Sequence, residues 1–236
     1  MALRKDGEAT STRLLDTALK LYATYGVQAV SLKEVIKGAK QKNASALHYY
    51  FKDRDGLIDA VLARHVSRLG ERREHYLAIA KQADDARSAA AAFVQPLGEL
   101  LMEDWRERSF LQLAANLLAD PTAGRERIMA VIGDSRADEA AELLVARIPD
   151  IPPNLQALRL RFGSLMVVQA VADQARVIDS LSGKPNAGHV NRFISNLIDM
   201  YLGAVTAPVY ERPSTRKRNG NGKAGRAGNS AGAPTL

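Results

Sequence analysis

The 236-residue chain has no cysteine, which excludes disulfides, thiol nucleophiles and cysteine-held zinc or iron–sulfur centres. Long apolar runs are missing too. The longest, roughly 165–172, is broken by Gln169 and ends at Asp173, far short of the ~20 apolar residues that a membrane-spanning helix needs. At the N-terminus, MALRKDGEATSTRLLD places charge on both sides of each short apolar run. A secretory signal core is therefore not expected, and the reading is a cytoplasmic protein with no membrane partner. The four histidines, His48, His65, His75 and His189, show no short-range ligand spacing, and no serine or histidine stands in a nucleophile motif. No metal, cofactor or catalytic residue is expected on these grounds.

Charge is present in quantity but unevenly placed. The chain carries a formal net charge of +7. Residues 1–56 and 211–236 are both strongly basic, while the stretch between them is slightly acidic. A basic head and tail around a near-neutral middle suit a polyanion met at the ends. From Pro213 onward Gly, Asn, Ala, Arg and Lys dominate, with no large apolar residue before Leu236. Such a segment cannot bury enough surface to offset its ordering entropy, so 213–236 reads as a disordered basic tail. Within it Gly220-Asn-Gly-Lys-Ala-Gly225 satisfies G-x-G-x-x-G, but no strand precedes it and no apolar helix follows, so no nucleotide site is assigned.

The hydropathy pattern is helical almost throughout, and the expected class is all-α. Leu14, Leu15, Ala18, Leu21, Tyr22 and Tyr25 recur at helical spacing, with Thr10, Ser11 and Thr12 as cap candidates and Gly26 as a stop. Ser31 opens a short second helix, a third runs from about Asn43 to Tyr50, and Asp53 caps a fourth that starts near Arg54. Longer helices are expected at about 84–103, 106–119, 123–148, 153–181 and 188–207, separated by proline- and glycine-bearing breaks.

The most informative stretch is SLKEVIKGAKQKNASALHYYFKDRDGL, beginning at Ser31. Two short helices joined by so tight a turn must cross steeply, leaving the second to protrude from a scaffold made by its neighbours. The stretch is rich in lysine and arginine: Lys33, Lys37, Lys40, Lys42, Lys52 and Arg54. On the protruding helix Asn43, Ser45 and His48 are suited to hydrogen-bond base edges or phosphates, while Ala44 and Ala46 permit close approach to a groove. Lys33, Lys42 and Arg54 are suited to the phosphate backbone.

From Arg13 to Leu62 the chain resembles the DNA-binding domain of the TetR family of transcriptional regulators. The matching residues run from Arg13-Leu14-Leu15 through Ala18, Leu21, Tyr25-Gly26, Ser31, Val35 and Ala39. They continue through Ala46-Leu47-His48-Tyr49-Tyr50-Phe51 and Arg54-Asp55-Gly56-Leu57. The resemblance implies a helix-turn-helix at about 31–50 within a DNA-binding domain at 1–56, followed by an effector-binding and dimerisation domain at 57–212. It implies a phosphate contact at Lys33, a recognition helix bearing Ala44, Ser45, Ala46 and His48 with Tyr50 just beyond, and a backbone contact at Arg54. Two departures stand out. The turn Ala39-Lys40-Gln41-Lys42-Asn43 is one residue longer than usual and carries lysine where the family has glycine, and His48 stands where tyrosine is commoner.

In the second half, Phe93, Leu97, Leu101, Trp105 and Phe110, joined by Phe162 and Met166, are the candidates to line a ligand cavity. The last helix carries a long apolar stripe including Phe193, Leu197 and Tyr201, and the helix before it is apolar on nearly every side around 162–172. A helix apolar all round must be covered on more than one face; the resemblance implies that these two helices pair with a second copy. The expected protein is a homodimeric repressor that leaves double-stranded operator DNA on binding a small hydrophobic effector. Two other classes remain open at this point: a helical enzyme using carboxylates that the pattern does not single out, and a protein that coats nucleic acid without sequence preference.

Overall fold

The computed structural model describes residues 2–41, 45–120, 126–128, 130, 133–181 and 185–209, with side chains from Gly7 onward. Nine helices are seen among them: α1 (Ala2–Tyr25), α2 (Leu32–Gly38), α3 (Ser45–Phe51), α4 (Arg54–Ala83), α5 (Ala86–Glu99), α6 (Trp105–Ala119), α7 (Ala137–Val145), α8 (Pro153–Ser180) and α9 (Ala187–Thr206). Short 3₁₀ turns follow α5 (Leu100–Met102) and precede α7 (Gly133–Ser135). No strand occurs among the described residues. The tail 213–236 lies outside them.

Polar caps set most of the boundaries. Ser31 and Glu34 form a reciprocal capping box at the start of α2: the Glu34 amide donates to the Ser31 hydroxyl at 3.3 Å and the Ser31 amide to the Glu34 carboxylate at 2.7 Å. Asp53 accepts from the Gly56 amide at 2.8 Å and starts α4 where the sequence places it. Asp85, Asp104 and Asn186 do the same for α5, α6 and α9. Gly26 ends α1 with a φ of +81°.

Two expected elements differ. Thr10–Thr12 do not cap α1, which begins at Ala2; Thr10 instead accepts from Arg13 inside the helix. The expected helix at 123–148 is interrupted by the 3₁₀ turn at Gly133–Ser135 and by Arg136, whose φ is +56°. Only α7 carries helical pattern beyond that kink.

The helices share one apolar core that runs from the head (α1–α3) into the body. α4 passes from head to body unbroken, so the chain is continuous as helix across 56/57. α5 lies centrally against α4, α7 and α9, while α6 packs on α1 and α8. Close approaches explain two glycines. A side chain on Gly70 of α4 would collide with the Asp134 carbonyl, so only glycine lets the 3₁₀ turn press directly on that helix. A side chain on Gly163 of α8 would meet the Tyr201 ring at 2.7 Å. That ring is buried within the chain and stacks on Phe93, centroids 5.3 Å apart.

Candidate nucleic-acid interface and ligand cavity

The helix-turn-helix presents a defined outer face. On α3, Leu47 and Phe51 are buried while Ser45, His48 and Tyr49 are exposed, with Lys52 exposed just beyond the helix. Ser45, His48 and Tyr49 lie at i, i+3 and i+4, one stripe of α3, and Lys52 follows the helix with a left-handed backbone, φ +63°. Tyr49 is 82% exposed. It is the residue that sequence reasoning missed, although its spacing from Ser45 could have found it. His48 Nδ1 lies 2.6 Å from the Lys52 carbonyl. Nδ1 must therefore carry a hydrogen, and Nε2 is left for another partner.

Tyr50 belongs elsewhere. It is half-buried against the core, with its hydroxyl close to Gly7 of α1. The physical reason is helical phase: one step from Tyr49 turns the side chain by ~100° and aims it at the scaffold. Ala46, one turn before Tyr50, is half-buried as well. Lys42, Asn43 and Ala44 lie outside the described residues. Lys33 is exposed in the first turn of α2, with Lys37 and Lys40 exposed further along the same segment. Lys40, at the family's glycine position, takes the left-handed backbone that glycine usually serves, with φ +54°. Arg54 donates to the Val30 carbonyl, so its guanidinium ties the start of α4 to the loop before α2.

Ionic braces join head and body. Asp16 of α1 accepts from Arg64 of α4 at 2.8 Å and from Arg106 of α6 at 2.8 Å. Arg106 also lies over the Trp105 ring at 4.9 Å, with Lys20 at 5.9 Å from that ring. Trp105 thus sits in the α1–α6 seam, where it lines open clefts beside Lys20 and not the cavities between α5, α7 and α8. Deeper, His65 Nδ1 meets Glu107 at 2.9 Å and Arg68 meets the other carboxylate oxygen at 3.2 Å. His65 stacks on Phe110 at 5.0 Å.

Burial opposes ionisation of Glu107, but the hydrogen bond and charge of His65, followed by Arg68, outweigh it and hold the carboxyl below its ordinary range. A carboxylate with a depressed folded pKa contributes stability that is present above its unfolded pKa and lost as the pH falls through the folded one. Glu107→Gln is therefore expected to melt earlier than the wild type at neutral pH, by about 1–3 kcal/mol. That gap should shrink as the pH drops below ~4, and circular-dichroism melts across the range check it.

Two adjoining cavities lie in the body. The larger, about 440 Å³, is open to solvent and is walled by Phe93 of α5, Leu118 of α6, Ala137, Asp138 and Ala141 of α7, and Leu160, Arg161, Ser164, Leu165 and Val168 of α8. A smaller inner space of about 70 Å³ shares Phe93, Leu118, Ala137 and Val168 and adds Leu97, Phe110, Ile128, Arg73 and others. Of the expected lining residues, Phe93, Leu97 and Phe110 do face this space. Leu101 is fully buried in the core and Met166 packs against that core. Phe162 is 53% exposed on the outside of α8. None of these three lines either cavity, because each points away from the gap between α5, α7 and α8.

The apolar stripe of α9 also faces inward. Leu197 and Tyr201 are 2% and 1% exposed in the single chain and Phe193 is half-buried. α5 and α8 already cover that face, so Leu197 and Tyr201 offer a second chain no surface. Large apolar residues left exposed on the last two helices are Leu158, Phe162 and Val177 on α8 and Met200 on α9. No helix among the described residues is long and apolar enough to cross a membrane.

Residues 14–61 match the family model for bacterial regulatory proteins of the tetR family, and residues 91–204 match that of the tetracyclin repressor-like C-terminal domain. A relative, the HTH-type transcriptional regulator AcrR of Shigella flexneri, is 35% identical over 80 residues, 33% of this chain and 37% of that protein. The match thus spans little more than a third of the relative's length. Among solved structures, the transcriptional regulator FadR from Bacillus subtilis, in complex with stearoyl-CoA, aligns over 84% of this chain and 99% of its own. The TM-score is 0.52 at 12% identity, a likeness of fold.

Proposed function

Because the chain belongs to the TetR family of transcriptional regulators, we propose that it is a ligand-responsive repressor. It grips operator DNA as a homodimer and releases it when a small, largely apolar molecule enters the body. On the DNA side, Ser45, His48 and Tyr49 read bases, while Lys33 and Lys52 hold phosphates. Two copies of α3 must fit successive major grooves, roughly 34–36 Å apart, so the operator is nearly palindromic. The exposed apolar residues of α8 and α9 supply the contact between copies.

The observation that carries the switching part is a short link between cavity and head. Ile128 is buried and lines the inner space. Its neighbour Arg127 donates to the Asp55 carbonyl at 3.0 Å and pairs with the carboxylates of Asp55 and Asp59. Asp55 follows Arg54 in the first turn of α4. A ligand that displaces Ile128 pulls on the base of the helix that supports α3. Release requires that the ligand bind the DNA-incompetent arrangement more tightly, since equal affinity shifts nothing.

Ala141 faces the larger cavity from α7. Ala141→Phe is expected to fill that space and abolish ligand-induced release, with operator affinity retained. Gel-shift titration with and without inducer tests this. If Ala141→Phe loses operator binding as well, the cavity is structural and the effector site lies elsewhere.

A further inference from the structure

Arg73 has no part in the operator contact or the Arg127 link, yet its position is unusual. It is 1% exposed on α4 and lines the inner space next to Phe93. Its Nε donates to the Ala92 carbonyl at 3.1 Å, its Nη2 to the Phe93 carbonyl at 3.3 Å and its Nη1 to the Ser135 carbonyl. Part of this has a local cause. Pro96 has no N–H for the carbonyl four residues back, which is Ala92, and Arg73 supplies the missing donor.

Three carbonyls do not use up a guanidinium, which has five N–H donors. Nor do they neutralise it. No carboxylate among the described residues pairs with Arg73, although every other α4 arginine except Arg54 meets one: Arg64 meets Asp16, Arg68 meets Glu107 and Arg72 meets Glu103. Burial lowers the guanidinium to about 10, so it remains cationic at neutral pH. The Phe93 ring lies 5.6 Å from the guanidinium, but a buried cation with no carboxylate beside it is still costly, and a bound anion relieves that cost. The space beyond it is walled mostly by apolar side chains, with Ser164, Asp138 and Arg161 as the polar ones.

On the reading of this cavity as the effector site, we propose that the effector is an amphipathic organic acid. Its carboxylate takes the two remaining N–H donors of Arg73, and its apolar body occupies the larger cavity between α5, α7 and α8. Arg73 then does two things. It repairs the helix at Pro96, and it selects an acid over a neutral molecule of the same shape.

The test uses two matched pairs of probes on the full chain: decanoate against 1-decanol, and 2-naphthoate against 2-naphthalenemethanol. Calorimetric titration is expected to show each acid binding at least about tenfold more tightly than its alcohol. Arg73→Met should erase that preference and Arg161→Gln should keep it. Equal affinity of acid and alcohol for the wild type would leave the cavity as an apolar effector site and overturn the acid proposal. Loss of the preference in Arg161→Gln would put the carboxylate at Arg161, which also overturns it. If no probe binds, both the acid proposal and the effector reading of this cavity fall.

Because Arg73→Met also removes the donor to Ala92 and can unfold the body, a second measurement needs no variant. The ¹³C resonance of carboxyl-labelled decanoate bound to the wild type is expected to stay at its ionised position while the free acid titrates. A bound carboxyl that protonates at or above the free acid's midpoint would mean that no cation faces it.

Discussion

A chain carrying Ser45→Ala, His48→Ala and Tyr49→Ala together is expected to keep its fold and lose its operator. All three side chains are exposed on α3, so their removal opens no cavity. The variant gives up the bond of His48 to the Lys52 carbonyl, about 1 kcal/mol in stability, and the edge-to-face contact of Tyr49 with Tyr50. Each base contact removed costs about 1–3 kcal/mol of discrimination, so the triple variant should lose roughly 3–9 kcal/mol of specific affinity. Binding to random DNA should persist with the same steep dependence on salt, because Lys33 and Lys52 are untouched. Fluorescence anisotropy with operator and scrambled duplexes at several salt concentrations separates the two terms. Unchanged discrimination would remove the outer face of α3 from base readout. Tyr50→Ala is a useful contrast: it empties a half-buried place against the core and should act mainly on stability.

The second large effect is a pair of charge insertions that part company. Phe162 is exposed on α8 and Leu197 is buried under α9. Phe162→Glu is expected to leave a folded chain and dissociate the dimer, since a desolvated carboxylate would face its own copy across a two-fold contact. Leu197→Glu is expected to unfold the body. Losing a buried leucine costs about 2–5 kcal/mol before the unpaired charge is counted, against a total stability of about 5–15 kcal/mol. Sedimentation velocity and thermal melting of both variants give the answer. A folded, monomeric Leu197→Glu would show that the stripe of α9 pairs chains after all. A dimeric Phe162→Glu would move the contact away from α8.

What could be read from the sequence is what is encoded over three or four residues. The capping box of Ser31 with Glu34, the cap at Asp53, the stop at Gly26 and the apolar spacing of α1 are local signals, and each has its partner within one helical turn. They suffice to specify an all-helical chain with a helix-turn-helix near its start, and they carry the family resemblance. The structure decided matters that depend on partners far along the chain. Tyr49 and Tyr50 are neighbours of the same type; helical phase separates them, and the scaffold against Tyr50 decides which of the two faces inward. Arg73 reads as one more polar residue on a helix until Ala92 and Ser135 are brought to it from 19 and 62 residues away. Arg127 reaches the base of α4 only through Asp55 and Asp59, 72 and 68 residues away. The stripe of α9 shows that Leu197 and Tyr201 are buried without showing by what, because periodicity encodes burial and is blind to whether the cover is the same chain or its copy. Cavity walls are the extreme case. A leucine that lines a gap and one that fills the core, such as Leu97 and Leu101, have the same local pattern, and only the packing of α5, α7 and α8 leaves the gap beside one and closes it over the other.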